Sequence, residues 1–222
     1  MRRIRIVVAY DGTNYCGWQI QPNGITIEEI LNRQISKLTG EDIRIIGASR
    51  TDSGVHALGN VAVFDTESRI PGDRFAYALN QKMPEDIVIV RSDEVQIDWH
   101  PRYQNEISKT YEYHIYNAKV RNPLKNRYST FVSFDLDVEK MRQGAKYILG
   151  EHDFASFCNV RTNAKDTVRT VHEITIKEIP MDKFQASNWG QENSNLENEK
   201  EIVIRVTETA SYIIWFVSLP ER

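Results

Sequence analysis

Ile4, Ile6, Val8 and Tyr10 occupy alternate positions, and alternate side chains of a strand share one face, so the start of the chain predicts a strand with one buried side. After a loop rich in Gly, Asn and Pro, the residues Ile27, Ile30, Leu31, Ile35 and Leu38 recur at helical spacing. Thr26 and Glu29 stand at the offset of a capping box, and Gly40 supplies the stop. Residues 43–48 and 60–64 then read as strands. Pro71 opens a helix carrying Phe75, Ala78 and Leu79, and DIVIV at 86–90 reads as another strand. The order β-α-β-β-α-β is that of a ferredoxin-like, split βαβ unit, an antiparallel sheet backed by two helices.

A second copy begins at TYEYHIYN, residues 110–117, which alternates like a strand. Val138, Met141, Ala145, Ile148 and Leu149 form a helical stripe that Gly150 ends, and residues 171–179 and 202–206 supply two more strands. Between those strands, residues 185–200 are polar without any period and read as a mobile loop. The second unit therefore shows β-α-β-β and then stops. The expected fold class is α+β: two ferredoxin-like halves, residues 1–104 and 105–222, forming a mainly antiparallel sheet backed by helices, with the second half incomplete.

Composition narrows the class. The 222 residues leave room for one large domain or two halves of about 100 to 120 residues. With 41% hydrophobic and 27% charged residues the chain is too apolar for disorder. The apolar run YIIWFVSL at 212–219 is well short of the roughly 18 residues that span a bilayer. The start, MRRIRIVVAYDG, meets Asp11 and Gly12 rather than a small-residue cleavage site, so no membrane association and a cytoplasmic location are expected. Cys16 and Cys158 are far apart and form no CxxC pair, which suggests neither a zinc site nor a disulfide framework. A net charge of -3 leaves no global footprint for nucleic acid. Local clusters exist at Arg2, Arg3 and Arg5, at Lys119, Arg121, Lys125 and Arg127, and at Arg161, Lys165 and Arg169; each reads either as solvated surface or as a face for a polyanion.

The stretch GASRTDSGVHALG, residues 47–59, packs three glycines, two serines and a Thr-Asp pair between apolar runs, with an Arg and a His. Asp two places before Gly is common turn chemistry, since the carboxylate accepts a backbone N–H and Gly supplies a positive φ. The same loop leaves one central strand and enters another, where a rigid sheet commonly places reactive groups. Both readings of Asp52 stand on local sequence. No phosphate loop, GxSxG elbow or HExxH pair competes with it.

ASRTDSGVHALG resembles the GRTDAGVHALG signature of the tRNA pseudouridine synthase A family. YDGTNYCGWQIQ at 10–21 is similar to that family's Y-x-G-x-x-Y-x-GWQ-x-Q, and ALNQKMPEDI at 78–87 to its LN-x-x-LP segment. WHPRY at 99–103 resembles its FHAR, SKTYEY at 108–113 its [KR]-x-Y-x-Y strand, and GEHDFASF at 150–157 its GxHDF. These blocks stand in order over about 150 residues, which makes the resemblance specific, whereas RTD alone would be weak.

The resemblance implies isomerisation of uridine to pseudouridine in tRNA, at positions 38 to 40 of the anticodon stem-loop, with neither cofactor nor metal, by a homodimer. Asp52 matches the catalytic aspartate. A carboxylate suits the reaction as a nucleophile toward carbon or as a stabiliser of positive charge on the sugar. Attack at C1', attack at C6, and proton loss at C2' with a glycal intermediate all stay open. Arg50 matches the arginine beside that aspartate, and would fill the space of a flipped-out base and keep Asp52 ionised. Tyr111 matches the tyrosine that lies against the target uracil; on the strand pattern alone it is equally a core tyrosine sharing a face with Tyr113.

Arg5, His100, Arg102 and Lys109 are expected phosphate contacts. His56 either contacts RNA or hydrogen-bonds its own loop, Trp18 and Gln19 either buttress the loop or touch RNA, and HDF at 152–154 is expected to pack and cap a turn. Ser49 and Glu28 depart mildly from the family pattern. The tail departs more. The family there has F-L-x-x-M-V-R followed by a helix and a strand, whereas this chain reads ASYIIWFVSLPER. No residue matches that arginine, and a reading-frame slip would account for the change. The alternative function is a catalytically impaired RNA-binding or tRNA-folding protein of the same fold.

Overall fold

The computed structural model describes residues 1–102, 108–157, 167–180 and 199–209. The chain forms two compact units, Met1–Asn105 and Glu106–Arg222.

The first unit is built on β1 (Arg2–Tyr10), which pairs antiparallel with β3 (Ala57–Thr66) on one side and β4 (Ile87–Val95) on the other. The short strand β2 (Ile46–Gly47) adds to β3, giving the order β2-β3-β1-β4 of a split βαβ sheet. Alternation does what it predicts: Ile4, Ile6, Val8 and Tyr10 are all buried. They pack with Ile27, Ile30, Leu31 and Ile35 of α1 (Ile27–Thr39) and with Phe75 and Leu79 of α2 (Phe75–Asn80) in one core. The Thr26 hydroxyl accepts the Glu29 N–H at the start of α1, and Gly40 ends it at φ 76°, a left-handed conformation that favours glycine.

Residues 43–48 are not the full strand their pattern predicts; only Ile46 and Gly47 join the ladder. The backbone N–H of Ile43 donates to Ser36 Oγ at 2.9 Å, and that of Ile45 to Asn32 Oδ1 at 2.9 Å. Polar side chains of α1 thus satisfy donors that a neighbouring strand would otherwise take. Ile43 and Ile45 are buried all the same, so the pattern reports the face without the ladder. Pro71 precedes a 3-10 turn, Gly72–Arg74, which leads into α2. Asn80 then clamps α2 to β4: its amide donates to the Ile89 carbonyl at 2.9 Å and accepts the Ile89 N–H at 2.8 Å. That clamp is a structural account of the Leu-Asn pair in ALNQKMPEDI.

The second unit contains β5 (Ser108–Asn117), β6 (Thr130–Val132), α3 (Val138–Ala145), β7 (Gly150–Asp153), β8 (Val168–Pro180) and β9 (Lys200–Thr209). Its sheet order is β6-β5-β9-β8-β7, antiparallel except for the β5–β6 pair. The strands β6 and β7 are additions to the sequence reading; at three and four residues they are too short for alternation to mark them. The helical stripe stops at Ala145 rather than Leu149. The N–H groups of Lys146, Tyr147 and Ile148 bond carbonyls three residues back, so the chain tightens into turns and leaves Ile148 and Leu149 each 39% exposed. Gly150, at φ 98°, starts β7 instead of capping a helix. Among the described residues the core here includes Ile115, Val138 and Ile202, with Tyr113, Met141, Ile176 and Ile204 packed against it. The expected absence of a last helix and strand concerns residues 210–222, which lie outside the described residues. So does most of the expected mobile loop, whose end, Lys200, already belongs to β9.

Asn80→Ala removes both bonds to Ile89 and is expected to lower unfolding stability by about 1–2 kcal/mol. Urea unfolding of the two proteins measures it, and an unchanged midpoint would deny the clamp any role in holding α2 to β4.

Candidate functional site

The loop from Ala48 to His56 joins β2 to β3, and its shape is imposed by the segment that follows β1. The Tyr10 hydroxyl meets Thr51 Oγ1 at 2.8 Å. The Trp18 N–H donates to the Thr51 carbonyl at 3.0 Å, and the Tyr15 carbonyl accepts both the Gly54 N–H and the Ser53 hydroxyl at 3.3 Å. The two backbones lie so close that a β-carbon on Gly17 would stand 2.5 Å from the Thr51 carbonyl oxygen, and one on Gly12 would overlap the Val55 carbonyl. Gly17 also holds φ 80°. Trp18, 2% exposed, packs its indole against Gly47 and its ring 6.0 Å from Tyr10. At the loop's start Arg102 Nε donates to the Gly47 carbonyl at 2.8 Å, and at its far side the Asn60 amide donates to the Ser49 carbonyl at 3.1 Å.

All of these contacts use backbone groups, hydroxyls or glycine surfaces. None uses the Asp52 carboxylate, which has no ion-pair or hydrogen-bond partner among the described residues. Asp52 remains at the surface, yet the surrounding protein mass desolvates its carboxyl and raises its pKa above the ordinary value. Arg50 is exposed and makes no ion pair with Asp52 or any other described residue. The structure thus places the pair on one loop without joining them. His56 Nδ1 lies 3.1 Å from the Gly12 N–H and 3.0 Å from Asp11 Oδ1. It accepts the first when neutral and donates to the second when protonated, so its ring ties the loop to the segment after β1. A hollow of about 360 Å³ lined by Tyr15, Ile25, Ile30, Arg33 and Lys82 includes no residue of the Asp52 loop.

The expected phosphate contacts fare differently. Arg5 stands directly opposite Asp93 in the β1–β4 ladder, bonds it through Nε at 3.1 Å and Nη2 at 2.7 Å, and lies 5.3 Å from the centre of the Trp99 ring. Arg3 is likewise paired with Asp65 across β3, and Arg2 with Glu94. The amino-terminal cluster is therefore neutralised within the first unit. His100 Nδ1 accepts the Arg102 N–H, and burial with the Arg102 and Arg3 charges pushes its pKa down, so it is neutral rather than cationic. Arg102 anchors Gly47, and Trp18 is buried against the start of the loop. Gln19 is exposed. In the second unit Lys119 pairs with Asp135, Lys125 with Glu201, and Arg121 lies 5.0 Å from the Phe131 ring. Cys158, Arg161, Lys165 and Arg222 lie outside the described residues. His152 and Asp153 sit on β7; Asp153 accepts the Ala155 N–H at 2.9 Å, a turn cap as expected.

Tyr111 lies on β5 with Lys109, Tyr113 and Ile115 on the same face, and opposite them β9 presents Glu208, Val206, Ile204 and Ile202. One end of this face is apolar; the other carries Lys109, Tyr111 and Glu208. A bulge in β8 between Val171 and Glu173 shifts the register there. Val171 and Arg169 are consequently buried, at 3% and 6% exposure, alongside Glu208 at 2%. Burial, then the charge and hydrogen bond of Glu208, push the Tyr111 hydroxyl above its ordinary value, with the Arg169 charge opposing. Glu208 and the burial of Arg169 were not legible in the sequence, because TVHEITI gives no sign of a bulge and a glutamate in a strand reads as solvent-facing.

Among the described residues no helix is long and apolar enough to cross a membrane, and no cluster of His, Cys, Asp and Glu is arranged to hold a metal ion. The sequence profile of the tRNA pseudouridine synthase family matches residues 6–104 and 145–207. The chain is 47% identical over 191 residues to the tRNA pseudouridine synthase A of Acetivibrio thermocellus, covering 86% of this chain and 78% of that one. It is 44% identical over 179 residues to the tRNA pseudouridine synthase A of Brevibacillus brevis, covering 81% and 73%. It is 48% identical over 177 residues to tRNA pseudouridine synthase A 2 of Clostridium perfringens, covering 80% and 72%.

Gly17→Ala places a methyl group against the Thr51 carbonyl at a positive φ. It is expected to cost more than about 1 kcal/mol and to displace the Asp52 loop. Thermal melts and amide exchange of residues 51–55 check this, and parental values for both would remove the steric constraint.

Proposed function

Because this chain belongs to the tRNA pseudouridine synthase family, we propose that it converts uridine to pseudouridine in tRNA, at positions 38 to 40 of the anticodon stem-loop, with Asp52 as the catalytic group. The reaction breaks the C1'–N1 glycosidic bond, turns the uracil, and joins C1' to C5. The C5 proton leaves and N1 gains one, so the change is an isomerisation that needs neither oxidant nor reductant. The observation that best supports Asp52 is an exposed carboxylate, without a partner among the described residues, on a loop whose backbone is held by its neighbours. Whether that carboxylate attacks carbon or stabilises charge on the sugar, it acts in its ionised form.

Arg50, exposed on the same loop and without an acidic partner among the described residues, suits a contact with the anionic RNA or with the space left by a flipped-out base. Tyr111 offers the uracil a stacking face. Lys109 and Gln19 are the expected RNA contacts that the structure does not withdraw into the core. Arg5 enters this reading only as a cation already shared with Asp93, its contribution to phosphate binding correspondingly reduced. The protein works as a homodimer in the cytoplasm, a reading that rests on the family resemblance; sedimentation of the chain with and without tRNA tests it, and a strict monomer in both would remove it.

Tritium release from tRNA labelled at uridine C5 measures turnover directly. Asp52→Asn is expected to reduce release by at least about a hundredfold while leaving tRNA affinity within a small factor. Release by the variant at the parental rate would sink the assignment of Asp52, and binding by the parent without release would favour an RNA-binding or tRNA-folding role. The pH dependence follows from the raised Asp52 pKa. The active form is the carboxylate, so the rate is lost as pH falls through that pKa, and the acid limb lies above the 3.8 of an unperturbed aspartate. An acid limb at or below that value would show that the free loop does not desolvate Asp52.

A further inference from the structure

Glu208 is the most deeply buried carboxylate of the second unit's described residues, and one of its two oxygens, Oε2, finds no hydrogen-bond partner among them. An unsatisfied buried oxygen on an acidic side chain costs stability, so its position asks for an explanation. Register and the β8 bulge supply the surroundings: Lys109 directly across on β5, Tyr111 two residues along the same strand, and Arg169 on β8. Across β7, His152 stands opposite Arg169 and bonds the Leu149 carbonyl at 2.9 Å. Substrate has no access to Glu208 itself. Tyr111, on the same face and only partly buried, is the nearer of the two to solvent.

We propose that Glu208 is a positioning residue for Tyr111, a buried carboxylate that fixes the tyrosine hydroxyl and takes up the proton the tyrosine relays from the substrate. The proposal rests on the reading of Tyr111 as the residue against the uracil. Once C1' is joined to C5, that carbon still carries its hydrogen, and the ring double bond returns only when a base removes it. Tyr111 oxygen accepts the C5 proton while its own O–H proton passes to a Glu208 oxygen. The C5–H electron pair restores the ring, the tyrosine stays neutral, and Glu208 becomes a carboxylic acid that later loses the proton to solvent.

The electrostatics agree with this direction of transfer. Burial raises the Glu208 pKa to about 7, against the opposing pull of Lys109, Arg169 and the Tyr111 hydrogen bond. The Tyr111 hydroxyl is pushed up from an already high value, so a free tyrosinate is inaccessible near neutrality. A tyrosine in this setting moves protons only with a carboxylate behind it.

The test uses the whole chain and two readouts. Carboxyl NMR of protein labelled at the glutamate side chain should show a resonance titrating near neutrality that is absent from Glu208→Gln and displaced in Tyr111→Phe. Tritium release against pH should rise in the parent through the same region. Glu208→Gln should lower release about tenfold or more and lose that step, with tRNA affinity unchanged. A purely structural role would instead move melting temperature and affinity together and leave the step in place.

Folding of the variant is checked by its melt. A carboxyl raised by burial contributes stability that is full below its unfolded value of 4.5 and is lost as pH rises through about 7. The neutral Gln variant should therefore melt no lower than the parent at pH 8. Parental release with an unchanged profile in Glu208→Gln, no glutamate titrating near neutrality, or a resonance indifferent to Tyr111→Phe would each overturn the assignment. A parent that releases no tritium while the Glu208 and Tyr111 titrations are coupled would overturn the proposed function, and the relay with it.

Discussion

The backbone after β1 lies directly on the backbone of the Asp52 loop, and residues without side chains at Gly12 and Gly17 are what permit that approach. Two segments far apart in sequence are thereby one object. Tyr10 and Trp18 descend into the core and hold one layer, while Thr51, Ser53 and Gly54 bond to that layer through hydroxyls and backbone. The Asp52 loop is thus supported by groups that make no demand on the carboxylate it presents. A carboxylate engaged in an ion pair would have to break that pair before acting on substrate. Here the loop backbone is held by its neighbours and the carboxylate has no partner among the described residues, a combination that would lower the reorganisation needed if Asp52 reacts as proposed.

Charge is distributed to the same effect. Along β1 the register sets Arg3 against Asp65 and Arg5 against Asp93, and cross-strand pairs of opposite sign neutralise what the linear sequence presents as a basic cluster. These pairs are only partly exposed, and pairs with solvent access add little stability. Their consequence is electrostatic: the field near the loop is left to groups without such partners, Arg50 among them. A net charge of -3 with local cationic points suits a protein that meets RNA through shape and a few contacts rather than through a broad basic surface.

In the second unit one irregularity has the largest effect. Without the bulge at Val171–Glu173, Arg169 would lie on the opposite face of β8 from Ile174 and Ile176, away from Glu208. With it, two buried charged residues and a tyrosine share the polar end of a sheet whose other end is a small apolar core. Buried ionisable groups are costly and tend to occur where function uses them.

Much of this was readable in the residues. The split βαβ order, the core face of β1, the bounds of α1 and the turn around Asp52 follow from period-2 and period-3.6 patterns, capping chemistry and turn residues, all of which are local properties of a chain. Strand extents, the fate of residues 43–48, the stop at Ala145 and the pairing of Arg3 and Arg5 do not follow, because each depends on which distant group satisfies a backbone donor or a charge. Asn32 and Ser36 taking the N–H groups of Ile45 and Ile43, Asp93 claiming Arg5, and a bulge turning Arg169 toward Glu208 are long-range events. Periodicity names the face a side chain prefers. Only the folded chain decides what it meets there, since hydrogen bonds and ion pairs are made across space rather than along the sequence.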